Sequence, residues 1–564
     1  MQRRFIPTAL AALSLLAACQ ANAPPPPPLQ GPAAIPDTQP AVDAPLFVGQ
    51  GAFANPLPET TDIAPSLVTA RVDAANSGVV DGPAPLGTAP VAGSAALSLE
   101  PPLLWSRAGV TAGCRIEVQP RGTTNCLAAL DTSTMTVTAR WAPPGQSLNA
   151  ATAVLDSQGR VVVTTMQGHL FVLSRPGGTG GSFQVVRDID LSGHLGPGQV
   201  LAFAVADADG DLWFSTGATS VAGTPATDTT VGYVTTSDQV VSAPLAGELV
   251  STAPAVNGED VYLATAPSGP AAPEPTTADE GAVYDLTATG TAVQTRWREP
   301  YDAGTSIKPG AEMRGTGAPI VLLGSQYVAV TDNADSQEHL LVFLQGAVPA
   351  AVPATTSTSS TTGARASGAA TNGGGGAGAD PRLVCQVDLF SAGTSAVTTA
   401  PIGYSAGGTT SVVVANGYGT PPAPVTPSTA GSGAASDSAI QNGPANSLNA
   451  MPGGVQRIDV LANGSGCQTV WSAPVRLQSA PVLATTAGLL YGYTQDPVRA
   501  ATGIYVWYFA GIDFRSGNVL WQQRAGAGAT KNDAGLPTEV GTDGVLYQLL
   551  PLGLVWMHDV NEQP

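Results

Sequence analysis

An all-β fold built from repeated small sheets is predicted by three observations. The 564 residues include 66 glycines and 49 prolines, and both residue types destabilise the interior of a helix. Short runs of β-branched and aromatic residues alternate with Gly, Asp and Asn turns, a pattern typical of β-strands. The resulting β-unit recurs at intervals of about 40 residues or more, as in a β-propeller, whose sheets pack face to face around an axis.

The repeating unit is a β-hairpin, which is often followed by a strand that ends in tryptophan. Hairpins are predicted in the segments 161–173, 261–286, 327–343, 489–513 and 545–559. The tryptophan-ending strands are predicted at Val137–Trp141, Val293–Trp297, Gln468–Trp471 and Gly517–Trp521. We expect about eight four-stranded blades, with seven as the alternative, because the first unit is short and several units contain insertions.

Closure of the ring is predicted from a match between two distant segments. Leu104–Gly109 (LWSRAG) and Leu520–Gly526 (LWQQRAG) share LW and RAG, and differ only in the one or two residues between them. The last unit, which ends at Pro564, lacks a tryptophan-bearing strand of its own. We therefore expect the N-terminal strand around Trp105 to complete the last blade, an arrangement that removes the sheet edges that invite aggregation.

Composition divides the chain into a leader, a tether and the propeller. Residues 1–18 are predicted to be a signal peptide, and residues 19–97, rich in Pro and Ala, a disordered tether. The propeller is then expected to cover residues 98–564. Within it, the segments 348–380 and 419–451 consist largely of Gly, Ser, Thr, Pro and Ala, and we expect both to be disordered insertions.

The N-terminus predicts export and attachment to lipid. Arg3 and Arg4 precede a short apolar stretch, Thr8–Ala18, which is too short to span a bilayer as a helix. The following Leu16–Cys19 (LAAC) resembles the lipobox of bacterial lipoproteins. This resemblance implies cleavage before Cys19 and acyl chains on its sulfur and new amino group, which together anchor a protein stably.

The compartment follows from the same resemblance. Gln20, rather than Asp, follows the cysteine, which in a Gram-negative host implies the periplasmic face of the outer membrane. An ordinary secretory signal with a chance cysteine is the alternative. The 22 Lys and Arg residues against 41 Asp and Glu give a net charge of -19, which argues against a nucleic-acid partner.

Four cysteines remain besides Cys19, and an even number in an exported chain indicates disulfides. Cys114 and Cys126 are close in sequence and are predicted to pair, which leaves Cys385 and Cys467 for a second bridge. Free buried thiols are the alternative. The spacing of the cysteines and of the four histidines favours neither a zinc site nor a haem site.

The units resemble the repeats of pyrroloquinoline-quinone-type propellers. The clearest match is Phe509–Trp521 (FAGIDFRSGNVLW), and Leu127–Trp141 is a looser second. The segment Trp297–Asp335 is similar to an uncharacterised subgroup of exported propeller proteins. The resemblance implies the fold and a place between blades for the tryptophans; in the quinone enzymes it also implies a calcium ion held by Glu, Asn and Asp.

The chain departs from the enzyme pattern, because it has no adjacent cysteine pair and no assignable acidic triad. We expect no cofactor, with Ca²⁺ and pyrroloquinoline quinone as the alternatives. The densest carboxylate cluster is Asp207, Asp209 and Asp211, whose oxygens could bind Ca²⁺. The Asp209–Gly210 pair between strands also favours a plain hairpin turn, which is the preferred interpretation.

A second polar cluster, Asp332, Asn333 and Asp335, lies between two predicted strands. Such a loop could bind a cation or a ligand at the mouth of a propeller, although a polar turn is the preferred interpretation. No strand–turn–helix nucleophile elbow is predicted that would order the Ser, His and Asp residues into a triad. An enzyme is therefore the less favoured class, although the sequence leaves the question open.

The predicted function is that of a lipid-anchored propeller of the cell envelope, acting as a non-enzymatic binding or assembly platform. It would contact the membrane through Cys19 and bind a protein partner in the envelope. A quinone-dependent envelope dehydrogenase is one alternative. A carbohydrate-binding module is another, with Tyr301, Tyr404 and Tyr418 as candidate exposed aromatic residues.

Overall fold

Eight antiparallel sheets form the blades of a β-propeller. The computed structural model describes residues 32–41, 43–60, 73–97, 99–117, 123–218, 227–250, 252–268, 280–311, 313–348, 381–421 and 442–560. The all-β class and the eight blades are confirmed, and the alternative of seven blades is wrong.

The first four blades follow one another along the chain, each as a meander of neighbouring strands. Blade 1 contains Leu99–Ser106, Gly109–Glu117, Thr123–Asp131 and Thr136–Trp141. Blade 2 contains Val154–Leu155, Val161–Thr164, His169–Ser174 and Gln184–Asp190. Blade 3 contains Gln199–Ala206, Leu212–Ala218, Thr229–Val234 and Val240–Leu245. Blade 4 has a first strand in two pieces, and contains Glu248–Val250, Ala255–Asn257, Asp260–Pro267, Glu280–Ala288 and Val293–Asp302.

The last four blades repeat this order, and two of them include N-terminal strands. Blade 5 contains Val321–Leu323, Tyr327–Thr331, His339–Leu344 and Leu383–Asp388. Blade 6 contains Ile402–Ala406, Thr409–Ala415, Val455–Val460 and Cys467–Ala473. Blade 7 contains Val482–Ala484, Leu489–Gln495, Val506–Asp513 and Val519–Ala527, with Phe47–Gly49 and Val79–Val80 added at its edges. Blade 8 contains Thr538–Val540, Leu546–Leu550, Gly553–Asp559 and Pro90–Ala96.

The core lies between adjacent blades, which explains the two kinds of strand in the sequence. Inner strands such as Leu489–Gln495 are buried at every position, because neighbouring blades cover both faces of the sheet. Outer strands such as Thr136–Trp141 alternate between partly buried and exposed residues. The tryptophans of three outer strands reach the next blade, as predicted. Trp297 donates to the carbonyl of Gln345 (3.0 Å), Trp471 donates to that of Phe514 (2.9 Å), and the Trp141 ring contacts Phe171.

An N-terminal strand closes the ring, but it is not the predicted one. Pro90–Ala96 pairs with Gly553–Asp559 and is the outer strand of blade 8. The expectation that the strand around Trp105 does this is wrong, because Leu99–Ser106 is the first strand of blade 1. The Trp105 ring packs on Tyr547 of blade 8, with 5.6 Å between ring centroids. The tryptophan pattern therefore marks a contact between blades and does not mark the closing strand.

The prediction of a disordered tether over residues 19–97 is wrong for its described parts. Residues 32–41, 43–60 and 73–97 lie on the propeller, and Phe47–Gly49 pairs with the outer strand of blade 7. A proline-rich chain still offers backbone carbonyls, and sheet edges have N–H groups that require acceptors. The predicted signal peptide and Cys19 lie outside the described residues, as do residues 61–72 of the tether.

Residues 74–80 lie inside the ring, along the first strands of four successive blades. Their carbonyls accept backbone hydrogen bonds of 2.7–3.0 Å from blades 4 to 7, in the pairs Ala74 with Val256, Ala75 with Leu322, Ser77 with Gly403, and Gly78 with Leu483. Asn76 is 1% exposed, and its side-chain amide donates to the carbonyls of Pro254 and Ile320. The chain itself thus fills this side of the central opening.

The two predicted insertions lie mostly outside the described residues, as 349–380 and 422–441. The end of the second insertion, residues 442–451, is ordered, so the prediction of disorder is wrong there. It forms the 3₁₀ turns Pro444–Asn446 and Leu448–Ala450, and the backbone N–H of Leu448 donates to Gln495 of blade 7. The other described 3₁₀ turns are Ala150–Thr152, Gly178–Gly180, Ser192–His194 and Ala529–Lys531.

Helix is scarce in the described chain. Its α-helix is the single turn Pro497–Ala500, which begins with Asp496 accepting hydrogen bonds from two backbone N–H groups. Within the ranges given above, no helix has both the length and the apolar character needed to cross a membrane.

Both predicted cysteine pairs are confirmed. Cys114 and Cys126 join two neighbouring strands of blade 1, with Cα atoms 4.8 Å apart. Cys385 and Cys467 join the outer strands of blades 5 and 6, with Cα atoms 5.8 Å apart. The second bridge therefore ties together two blades whose loops form the candidate site.

Candidate functional site

Loops from blades 4, 5 and 6 meet at one end of the ring. In a four-stranded meander, the connection between the second and third strands leaves from the same end as the connection to the next blade. These loops line a cavity of about 150 Å³ that is open to solvent. The side chains that matter for its chemistry are Lys308, Asp335, Ser336, Gln337, Ser395 and Tyr418.

The loop after blade 4 is held by the predicted polar cluster of blade 5. The Asn333 side chain donates to the carbonyls of Ala303 (2.8 Å) and Ser306 (3.2 Å). The Asp335 carboxylate accepts from the backbone N–H of Thr305 (2.8 Å). Gly304 lies between them with φ +70°, and a Cβ atom there would collide with the Asn333 carbonyl. The close approach of the two loops therefore requires glycine.

The loop between blades 5 and 6 is held by Glu338. The backbone carbonyl of Glu338 accepts from Leu389 N–H (2.8 Å), and its carboxylate accepts from Val397 N–H (2.9 Å). The blade 6 loop contacts the two other loops. Gly417 N–H donates to the carbonyl of Ala396 (2.7 Å) between blades 5 and 6, and Gly419 N–H donates to that of Pro309 (2.8 Å) after blade 4. All walls of the cavity are thus connected by hydrogen bonds.

Asp332 stabilises the blade 5 turn from behind the cavity. It is 3% exposed and accepts from the backbone N–H of His339 (2.7 Å), and its second oxygen is 2.6 Å from His339 Nδ1. The hydrogen bond to Asp332 raises the pKa of His339, against the opposing effect of burial. Of the predicted ligand-binding residues, Asp335 therefore lines the cavity. Asp332 instead stabilises its own turn, and Asn333 holds the neighbouring loop.

A buried ion pair lies in the wall of the cavity. Lys308 is 8% exposed, and its Nζ lies 3.4 Å from Glu338 Oε2. Burial raises the pKa of Glu338 to about 7, although Lys308 acts in the opposite direction. An ammonium group has three donors, and this long contact is the one hydrogen bond that Lys308 Nζ makes within the described chain. Lys308 therefore keeps unused donor capacity.

Two residues with hydroxyl groups, Ser395 and Tyr418, also line the cavity. Ser395 is 3% exposed, and its hydroxyl makes no hydrogen bond to any described residue. Tyr418 is half-buried and held by its backbone N–H, which donates to Asn416 (3.0 Å). The other candidate aromatic residues, Tyr301 and Tyr404, are buried and donate to backbone carbonyls, so their prediction as exposed residues is wrong.

Sequence reasoning missed Lys308, Glu338 and Ser395 as members of one site. They lie on separate loops, up to 87 residues apart, in a pattern that no local motif describes. One usable signal was composition, because Lys308 is one of two lysines in the chain. Arginine is the default cation of this protein, so a lysine inside a Gly-rich loop is an exception.

Asp207, Asp209 and Asp211 form a hairpin turn. The buried Asp207 carboxylate accepts from the backbone N–H of Asp209 (3.1 Å) and Asp211 (2.9 Å), and from the Trp213 indole (2.9 Å). Desolvation raises the pKa of Asp207 to about 6. Nowhere in the described ranges do three or more His, Cys, Asp or Glu side chains group as metal ligands.

Comparisons with known proteins add no family. No protein-family model matches the chain, and no curated protein matches it. The chain is similar to the WD40 domain of SCAP from fission yeast, at 10% identity over 83% of this chain and 96% of that one, with a TM-score of 0.40. It is also similar to Chaetomium thermophilum Sqt1 bound to the N-terminus of ribosomal protein L10, at 12% identity over 80% and 93% of the two chains, with a TM-score of 0.36. At such identities and scores, the function has to come from the site itself.

Proposed function

We propose that this protein is a lipid-anchored β-propeller of the cell envelope that acts as a non-enzymatic binding platform. Its binding end is formed by the loops of blades 4 to 6, which we name the loop end. The observation that carries the proposal is the cavity at this end. Its unused hydrogen-bonding groups lie on loops that hydrogen bonds connect to one another. Groups that are fixed before binding lose little conformational freedom when a partner docks.

The chemistry of the cavity supports binding rather than catalysis. A nucleophilic serine needs a base within hydrogen-bonding distance, whereas the Ser395 hydroxyl contacts no described base. The Glu338 carboxylate is already engaged by Val397 and Lys308. The central opening, where the quinone alternative would place a cofactor, contains residues 74–80 along blades 4 to 7.

The envelope location is supported by the lipobox-like Leu16–Cys19 and by the two cysteine pairs, which are typical of exported proteins. Membrane fractionation of the wild-type chain and of Cys19→Ser tests it. We expect the wild type in the membrane fraction with an incorporated radiolabelled fatty acid, and Cys19→Ser without the label. A wild-type chain without label would contradict the lipid anchor.

Site-specific photo-cross-linking in cells tests the platform. A photoreactive amino acid at the exposed Ser336 lies on the rim of the cavity, and the matched control position is the exposed Ser516, in a turn at the opposite end of blade 7. We expect a discrete cross-linked species from Ser336 that is absent from Ser516 and that Tyr418→Ala reduces. Equal cross-linking at both positions, or none at Ser336, would contradict a binding surface at the loop end.

A further inference from the structure

We propose that the cavity at the loop end binds one uncharged sugar ring, so that the platform recognises a glycan through a single pyranose unit. This inference rests on the proposed function and names the ligand class of the same site. It starts from three groups with free hydrogen-bonding capacity, the Lys308 ammonium and the hydroxyls of Ser395 and Tyr418.

The size of the cavity limits the ligand. Its volume is about 150 Å³, and a protein cavity of about that volume accommodates a six-membered ring such as benzene. The lining here is polar instead of apolar, and the cavity is open to solvent. The matching ligand is therefore a six-membered ring that bears hydroxyl groups and leaves its outer substituents in solvent. A longer glycan would place one ring in the cavity and extend over the exposed rim at Ser306 and Ser336.

The charges of the cavity favour an uncharged ligand. The Lys308 ammonium and the Asp335 carboxylate belong to residues that line it, and Glu338 pairs with Lys308 in the wall. An anion would meet the Asp335 carboxylate and an ammonium group that is already paired with Glu338, and a cation would meet the buried ammonium. A sugar hydroxyl both donates and accepts, so it can accept from Lys308 or Ser395 and donate to Asp335.

Tyr418 supplies the remaining part of a sugar site. It is half-buried in the wall, and its hydroxyl makes no hydrogen bond within the described chain. A tyrosine has an apolar ring and a polar tip, which suits a pyranose with apolar C–H faces and hydroxyl edges. Truncation of Tyr418 removes both contacts and leaves the ion pair of Lys308 and Glu338 in place.

The test is calorimetric titration of the full chain with three probes that share one ring and differ in charge. The probes are N-acetylglucosamine, which is neutral, glucuronate, which is anionic, and glucosamine, which is cationic. We expect N-acetylglucosamine to bind best, and Tyr418→Ala to weaken it about tenfold, equivalent to about 1.4 kcal/mol. Ser395→Ala should weaken it by a smaller factor, because it removes one hydrogen bond.

The matched control is Ser215→Ala, which removes another buried hydroxyl without a described partner, in blade 3. It should leave the Kd unchanged, and thermal unfolding should show that all variants are folded. No binding of N-acetylglucosamine, tighter binding of either charged probe, or a Kd that Tyr418→Ala leaves unchanged overturns the inference. If cross-linking at Ser336 still traps a partner in that case, the ligand class is wrong and the platform stands.

Discussion

Two acidic turns of this propeller look alike in sequence but differ in structure. In blade 3, Asp207 is satisfied within six residues, by the backbone of Asp209 and Asp211 and by Trp213. In blade 5, the turn that begins at Asp332 is longer, and Asp335 reaches Thr305, 30 residues earlier in the chain. The first turn closes on itself, whereas the second braces another loop and lines a cavity. An acidic cluster therefore indicates a site only when its carboxylates remain available to a second loop.

Removal of the Cys385–Cys467 disulfide, which joins blades 5 and 6 near the second turn, has the largest expected effect on stability and binding. Cys385 and Cys467 close a loop of 82 residues between blades 5 and 6, so the double serine variant should lose about 4 kcal/mol of stability in urea unfolding. Sugar binding should weaken as well, because the walls of the cavity belong to these blades. The Cys114→Ser/Cys126→Ser control should lose stability but bind normally, and equal weakening of binding in both variants would contradict the assignment.

Asp207→Ala should lower the free energy of unfolding and leave sugar binding unchanged. It leaves two backbone N–H groups and the Trp213 indole without their acceptor in a buried place, so we expect a loss of about 2–3 kcal/mol in urea unfolding. Asp209→Ala is the matched control, because Asp209 is exposed, and its stability should stay near that of the wild type. A calcium-dependent rise in the stability of the wild type, absent in Asp207→Ala, would instead revive the cation interpretation.

The two turns should also titrate in different pH windows. Burial raises the pKa of Glu338 from 4.5 to about 7 and that of Asp207 from 3.8 to about 6. The folded state then binds protons more tightly than the unfolded state, so stability falls as pH rises through the folded pKa. Between pH 6 and pH 8, Glu338 should contribute a loss of about 1 kcal/mol.

Unfolding of the wild type and of Glu338→Gln across this range measures that contribution. The variant should show a shallower fall in stability between pH 6 and pH 8, and Asp207→Asn a shallower fall between pH 4 and pH 6. Parallel pH curves for the wild type and both variants would mean that neither carboxyl group titrates as its burial implies.

The smallest expected effect is that of Asp335→Ala on stability. Asp335 is exposed and holds the backbone of Thr305, so the loss should be under about 1 kcal/mol. Hydrogen exchange of residues 304–306 should become faster because their brace is gone. Unchanged exchange in this segment would show that Asp335 does not hold the loop, and the contrast with the blade 3 turn would disappear.

The parts of the fold that sequence predicted are those set by local periodicity. Turns and strands recur visibly, so the class, the eight blades and the role of Trp297 follow from the pattern. The position of residues 74–80 does not follow, because proline-rich composition describes a segment that cannot fold alone and does not exclude one that docks on open sheet edges. The predicted clusters included Asp335 but missed Lys308 and Ser395, which come together only when three blades are in place.

A crystal structure of the full chain grown with saturating N-acetylglucosamine tests the central claim most directly. We predict one pyranose ring in the cavity between the loops of blades 4 to 6, within hydrogen-bonding distance of Lys308 Nζ and Ser395 Oγ. Residues 74–80 should still lie along the first strands of blades 4 to 7. A sugar bound elsewhere, or a cavity without it at that concentration, would contradict the claim.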